Sequence, residues 1–226
     1  MNKLKILTKD SVSTLLVILL LTPFGFAYME PNILGAITDE HTVKQTVTAE
    51  ITFAVAAPDV TMSPSIGGVT GGTGDGGTQF RIVSSNGTGF SVTLNTESNS
   101  MEGEDTTGTI PALIPTVVNV PNFTFTTAPT NSAAFAYTIK ATTTTDVATL
   151  FRDNGSSCNT GSNSTENRCW LNASTSAITI LNRTTQTESS GATSTLYYRV
   201  IIAADPAPLI PEDIYTATTT LTATNN

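Results

Sequence analysis

The chain has 226 residues, of which 44 are threonine and 19 are serine, and only 12% are charged. Its formal net charge of −8 argues against nucleic acid as a partner, because binding to a phosphate backbone needs a basic surface. Threonine suits strands, since its branched Cβ fits a pleated sheet while its hydroxyl stays with water. The composition therefore predicts a β-rich protein with a hydroxyl-rich surface, which is typical of proteins outside the cell.

Residues 1–27 have the order of an export signal. Three lysines precede a mainly apolar run at 12–21, and a small-x-small motif ends at Ala27. We predict a cleaved signal peptide, because this run is shorter than the roughly 20 residues of a membrane span; an uncleaved anchor is the alternative. Residues 28–40 are predicted to be a flexible lead-in, and 41–226 a single β-sandwich domain, so that the mature chain has no membrane span.

Residues 43–55 follow the lead-in with an alternation at period two: apolar residues, interrupted by Gln45, occupy one face, and mainly threonine and charged residues occupy the other. A period of two predicts a β-strand, because successive side chains of a strand point to opposite faces. The alternation is longer than a usual strand of roughly five to six residues, and two interpretations remain open. It is either the first strand of the chain's own sandwich or a donor strand that completes the sheet of a neighbouring copy. The candidate donor residues are Val43, Val47, Ile51, Phe53 and Val55.

The next part of the chain predicts a loop and then a hairpin. The glycine-rich residues 67–77 are predicted to be a surface loop, since they lack the Gly-Lys-Ser/Thr ending of a phosphate-binding loop and precede a strand instead of a helix. Residues 78–84 and 89–95 are predicted to form a hairpin with a turn at Asn86-Gly87. The side chains predicted to face the core are Phe80, Ile82, Phe90, Val92 and Leu94.

Residues 97–121 are predicted to be an irregular insertion. Glu102, Glu104 and Asp105 are candidates for a calcium site, because calcium prefers carboxylate and carbonyl oxygens. Their spacing matches no EF-hand, and a solvated acidic loop is the other interpretation. No metal and no cofactor are assigned to the chain.

Five more strands are predicted in the rest of the chain. They are residues 122–127, 134–141, 177–183, 195–203 and 214–224. The last two are joined by a turn with three prolines, which cannot belong to a helix or a central strand. The total is about eight or nine strands with long loops and no helix, which predicts an all-β antiparallel β-sandwich.

The two cysteines are predicted to form a disulfide. Cys158 and Cys169 are close in sequence, lie in a loop rich in Asn, Gly and Ser, and belong to a chain predicted to be exported. Zinc would need two further ligands, and the single histidine, His41, is far away in sequence. With this lone histidine and with both cysteines paired, the chain has no Ser/His/Asp or Cys/His set, and we predict that it is not an enzyme.

Two aromatic positions are candidates for binding a ligand. Trp170 with Asn167 and Asn172 is one, and Tyr197, on the face of its strand opposite Tyr198, is the other. Exposed aromatic rings beside hydrogen-bonding side chains are typical of carbohydrate sites. The alternative for Trp170 is a core residue that packs beside the disulfide.

Four short stretches, in order along the chain, carry a resemblance to known proteins. They are residues 46–53, 89–94, 190–200 and 209–221, the last with Tyr215 opening a strand after a proline-rich turn. In this pattern the chain resembles bacterial secreted surface β-sandwiches of the spore coat protein U and fimbrial-subunit type. The resemblance implies an immunoglobulin-like sandwich with a structural or adhesive role at the cell surface, and it brings no catalytic residues.

Together these patterns predict an exported, non-enzymatic structural protein of the cell surface that assembles as a fimbria or coat subunit. Its predicted partners are other surface proteins or further copies of itself. The alternative function is an extracellular carbohydrate-binding or adhesin module, with glycans as the partner.

Overall fold

The computed structural model describes residues 39–129 and 132–226. The predicted signal peptide and most of the predicted lead-in lie outside the described residues. The chain divides into two compact units, Met1–Thr46 and Val47–Asn226. In the first unit, the described residues 39–46 are exposed and belong to no strand, and all the assigned strands lie in the second unit.

The described residues form antiparallel β-sheets, and the predicted all-β class is confirmed. The strands are β1 Ile51–Val55, β2 Gly72–Ser84, β3 Phe90–Thr96, β4 Ser100–Gly103, β5 Thr109–Pro111, β6 Ala133–Ala141, β7 Leu171–Asn172, β8 Ile178–Arg183, β9 Ala192–Ile202, β10 Tyr215–Thr216 and β11 Thr219–Asn225. Two short 3₁₀ helices, Thr144–Asp146 and Thr149–Phe151, precede β7. No helix in the described part of the chain, these two included, is long and apolar enough to span a membrane.

Two sheets face each other across one core. The larger sheet has the strand order β1-β2-β9-β6-β7 and the smaller has the order β11-β3-β8, while β10, β4 and β5 form a third, small sheet. The inner faces meet in a cluster of buried side chains. Its members include Phe80, Ile82, Phe90, Val92, Leu94, Phe135, Tyr137, Ile139, Ile180, Leu196, Tyr198 and Val200. The predicted inward residues of β2 and β3 are all at most 1% exposed, so the alternation identified the buried face correctly.

The predicted hairpin of residues 78–84 and 89–95 is wrong. β2 pairs with β1 and β9 in the larger sheet, whereas β3 pairs with β11 and β8 in the smaller one. The turn at Asn86-Gly87 therefore crosses from one sheet to the other. The proline-rich turn before β10 does the same, since β9 and β11 also lie in different sheets. Periodicity reports the buried face of a strand, but it does not report which strand lies beside it.

The glycine-rich segment is a loop only in part: residues 67–71 form a turn, whereas residues 72–77 are the first half of β2 and pair with β9. A neighbouring segment, whose Ser63 pairs with Asp75 of β2, explains the glycines. A Cβ at Gly76 would lie 2.5 Å from Cγ1 of Val60, and one at Gly74 would lie 3.1 Å from the carbonyl oxygen of Pro64. Glycine is needed here so that a second backbone can approach the strand closely.

Two further predictions are corrected. The insertion at 97–121 contains β4 and β5, which pair with each other and, through β4, with β10. Residues 122–127 form no strand. They belong instead to a segment that covers the outer face of the larger sheet, where Phe125 is buried. The predicted strands at 134–141 and 177–183 are confirmed as β6 and β8.

Candidate functional site

The predicted donor strand divides at residue 51. Residues 39–50 are exposed and belong to no strand, with Val43 83% and Val47 86% exposed. β1 begins at Ile51 and pairs antiparallel with β2, placing Ile51 opposite Ser84 and Phe53 opposite Ile82. Next to this pair, Glu50 and Ser85 exchange two further hydrogen bonds, and no strand among the described residues pairs with residues 39–50.

Ile51, Phe53 and Val55 are therefore part of the chain's own sheet, and the donor interpretation is wrong for them. Ile51 and Phe53 are half-buried against the core, and the ring centroid of Phe53 lies 6.2 Å from that of Phe80. The ordinary first strand is the correct interpretation of this part. The donor prediction stays open for Val43 and Val47 alone.

The core is incompletely covered along one side. β1 and β11 are at the edges of their sheets and lie near each other. Ile51, Phe53, Leu221 and Ala223 face the core from these strands but remain only half-buried. The backbone of β11 pairs with β3 on one side, and no described residue pairs with its other side. We call this side, formed by β1 and β11, the open edge; it combines free backbone groups with partly exposed apolar side chains.

The predicted disulfide is confirmed. Cys158 and Cys169 are bonded, with their Cα atoms 5.5 Å apart, and both are buried against the core. The buried carboxylate of Asp153 organises the loop between them. It accepts hydrogen bonds from the backbone N–H groups of Gly155 and Thr165 and from the hydroxyl of Thr165. Burial alone would raise the pKa of Asp153, but these bonds outweigh it and hold the pKa below its usual value.

Trp170 is fully buried, so its prediction as an exposed sugar platform is wrong. It does not pack beside the disulfide either. It lies in a second cluster on the outer face of the larger sheet, which we call the outer cluster. The members of the outer cluster are Leu113, Phe125, Ala134, Ala136, Trp170 and Ile201.

The guanidinium of Arg199 packs on the outer cluster. Its guanidinium carbon lies 4.7 Å from the centroid of the Trp170 ring, a cation–π contact. The same group donates to both carboxylate oxygens of Asp75, at 2.6 and 3.1 Å, and to the carbonyl oxygen of Phe125 at 2.8 Å. This arrangement was not predicted from the sequence, because Asp75 and Arg199 become neighbours only through the pairing of β2 with β9.

The asparagines predicted beside Trp170 have local roles. The carbonyl oxygen of Asn167 accepts the indole N–H of Trp170 at 3.1 Å, and the side-chain amide of Asn172 donates to the carbonyl oxygen of Ala173. The structure therefore does not bring these residues together around an exposed ring. Tyr197 is different, since it is half-exposed on the outer face of β9 at the border of the outer cluster.

The calcium candidates are not brought together as a site. The carboxylate of Glu102 accepts hydrogen bonds from the hydroxyls of Ser98 and Ser100, which lower its pKa. The Asp105 backbone N–H donates to Asp213. Within residues 39–129 and 132–226, no group of three His, Cys, Asp or Glu side chains has an arrangement that could hold a metal ion.

Asp213 stabilises the loops of the third sheet through hydrogen bonds. Its carboxylate accepts hydrogen bonds from the hydroxyl and the backbone N–H of Thr106 and from the N–H groups of Asp105 and Ile214. These bonds, led by that of the Thr106 hydroxyl, lower the pKa of Asp213 to about 2. The acidic groups of this region thus support the local structure of the loops around β4 and β10.

Comparison with models of protein families, with curated proteins and with solved structures finds no match to this chain.

Proposed function

We propose that this chain is an exported, non-enzymatic structural protein of the cell surface that assembles with copies of itself in the manner of a coat or fimbrial subunit. The single observation that carries the proposal is the exposed segment at 39–50, in which residues 43–49 continue the alternation of β1. It has the apolar periodicity of a strand, with Val43 and Val47 on one side, yet it has no strand partner among the described residues. Exposed β-patterned segments of this kind join sheets of other chains by β-augmentation.

The open edge supplies a matching acceptor. A strand added there would bond to the free backbone of β11 and would cover Leu221 and Ala223, which are only half-buried. Backbone hydrogen bonds give such an addition its affinity, and apolar side chains at alternate positions set its register. The acceptor requires no rearrangement of the core, since β1 and β11 remain in their own sheets.

Export is supported by two features. The disulfide between Cys158 and Cys169 is typical of proteins in oxidising compartments, and the pattern of residues 1–27 is typical of a signal peptide. Removal of residues 1–27, with three lysines and one aspartate, changes the net charge from −8 to −10, and copies with this charge repel each other at low salt. We therefore expect assembly to strengthen as the salt concentration rises.

The test is the solution mass of the oxidised chain, measured by light scattering over a concentration series. Residues 28–226 are compared with residues 48–226, which lack Val43 and Val47 but keep β1. We expect a ladder of multiples for the longer chain and a monomer for the shorter one. A monomer for both chains would contradict self-assembly, and multiples for both would show that another surface makes the contact.

A further inference from the structure

The outer face of the larger sheet has a covered half and an open half. The outer cluster covers Ala134, Ala136 and Ile201. Further along the same strands, in paired register, the face carries Gly77 and Gln79 from β2, Thr195 and Tyr197 from β9, and Thr138 and Lys140 from β6. Thr138, opposite Tyr197, is buried, and its hydroxyl donates to the carbonyl oxygen of Arg168. Gly77 and Gln79 are exposed, and Thr195, Tyr197 and Lys140 are half-buried. Tyr197 stands at the border, where one side of its ring packs against the outer cluster.

Glycine at position 77 lets the ring of Tyr197 lie close to the sheet. A Cβ at Gly77 would lie 3.2 Å from Cδ1 and 3.6 Å from Cε1 of that ring, so a larger residue would push the ring away from the backbone. Gly77 is exposed and has no side chain that could cover the ring of Tyr197. The Tyr197 side chain thus lies close to Gly77 and packs against the outer cluster, and it remains partly exposed to solvent.

A pair of opposite charges lies on the same face, where Lys140 of β6 is opposite Thr195, two positions before Tyr197 on β9. Nζ of Lys140 is 2.9 Å from Oε2 of Glu166, and the two side chains are 41% and 47% exposed. Burial raises the pKa of Tyr197, and the nearby carboxylate of Glu166 raises it further. Lys140 supplies hydrogen-bond donors and Glu166 supplies acceptors. A ligand hydroxyl can therefore accept a bond from Lys140 or donate one to Glu166.

We propose that Tyr197, Lys140 and Glu166 form a binding platform for a neutral oligosaccharide. The apolar C–H face of a pyranose ring packs on the aromatic ring, while its hydroxyls bond to the charged pair. Two observations favour a neutral ligand over an acidic one. Glu166 already balances the charge of Lys140, and the net charge of −8 repels polyanions.

This inference goes beyond the proposed function and uses a different part of the molecule. The platform lies on the outer face of β9 and β6, whereas the open edge consists of β1 and β11. An assembly formed through the open edge would display one platform on each subunit. Simultaneous binding of several platforms to one polysaccharide would strengthen a weak affinity. Failure of either proposal leaves the other testable.

The experiment is a titration of the oxidised, ¹⁵N-labelled chain of residues 48–226 followed by NMR, because this chain keeps all the assigned strands and lacks the segment proposed for assembly. Maltohexaose, cellohexaose and laminarihexaose are the neutral probes, and a heparin-derived hexasaccharide is the acidic comparator. We expect one neutral probe to shift the amide signals of Gly77, Thr195 and Tyr197 at concentrations below about 10 mM. No shift with any neutral probe, shifts confined to another surface, or stronger binding of the acidic probe would each overturn the proposal.

Variants assign the effect to the ring. Tyr197→Leu keeps apolar bulk against the outer cluster and removes the aromatic face, and we expect affinity to fall by about tenfold or more. Tyr197→Phe keeps the face and should retain binding within about threefold. Val118→Ala, at an 81% exposed apolar position outside the platform, is the control that should leave binding unchanged. Equal affinity of the Leu and Phe variants would contradict the platform.

Discussion

Two adjacent parts of the chain share one sequence pattern and have different structures. Residues 43–49 and Ile51–Val55 continue the same alternation, yet only the second part is a strand. Ile51 pairs with the last residue of β2, Ser84, and no strand among the described residues pairs with residues 43–49. The difference shows that alternation makes a segment able to form a strand, whereas a partner strand of matching length decides where the strand begins.

The largest expected effect is the loss of stability in Phe53→Ala. Phe53 packs against Phe80 at the edge of the core, and removing a half-buried aromatic ring should lower the free energy of unfolding by about 2 to 3 kcal/mol. Urea denaturation of the oxidised protein measures it. Val47→Ala is the matched control, since Val47 is 86% exposed, and it should change this free energy by less than about 0.5 kcal/mol. Equal losses in the two variants would contradict the division at residue 51.

A smaller effect is expected at the boundary itself. The Glu50 N–H donates to the hydroxyl of Ser85 at 2.9 Å, and the Ser85 N–H donates to the carbonyl oxygen of Glu50. Ser85→Ala removes the first bond only, which should cost about 0.5 to 1 kcal/mol.

Amide hydrogen exchange locates this change. The exchange rate of the Glu50 amide should rise by a few-fold in Ser85→Ala, while amides of β1 that bond to β2 keep their protection. Slow exchange throughout residues 43–49 in the wild-type monomer would show that this segment is bonded within its own chain and would break the comparison.

The smallest expected effect on stability comes with a large effect on assembly. Val43→Asp combined with Val47→Asp should leave the free energy of unfolding within about 0.5 kcal/mol of the wild type, because both side chains are exposed. The same change places charges on the apolar side of the segment and should abolish the larger species in light scattering. The control is Thr46→Asp with Thr48→Asp, which adds the same charge on the opposite side and should preserve more of the assembly. Loss of assembly in both variants to the same extent would indicate net charge, and not strand insertion, as the cause.

Local patterns predicted much of the core and little of the candidate sites. Phe80 and Phe90 were correctly placed in the core because alternation alone identifies the buried face of a strand. The strand at Gly72–Gly77 was missed because its glycines have no periodicity to detect, and their role depends on the close approach of Val60 and Pro64. Trp170 was misplaced since its neighbour Cys169 faces the core while its own ring packs on the outer face of the sheet.

The sequence by itself determined the all-β class, the inward faces of the main strands and the pairing of Cys158 with Cys169. Each of these depends on periodicity, composition or short spacing, which are local properties. Only the tertiary structure decided which strands are neighbours, where β1 begins, and that Arg199 bonds to Asp75 across 124 positions of the chain. These features depend on backbone pairing and packing between distant segments, and no local pattern records which distant segment will be the partner.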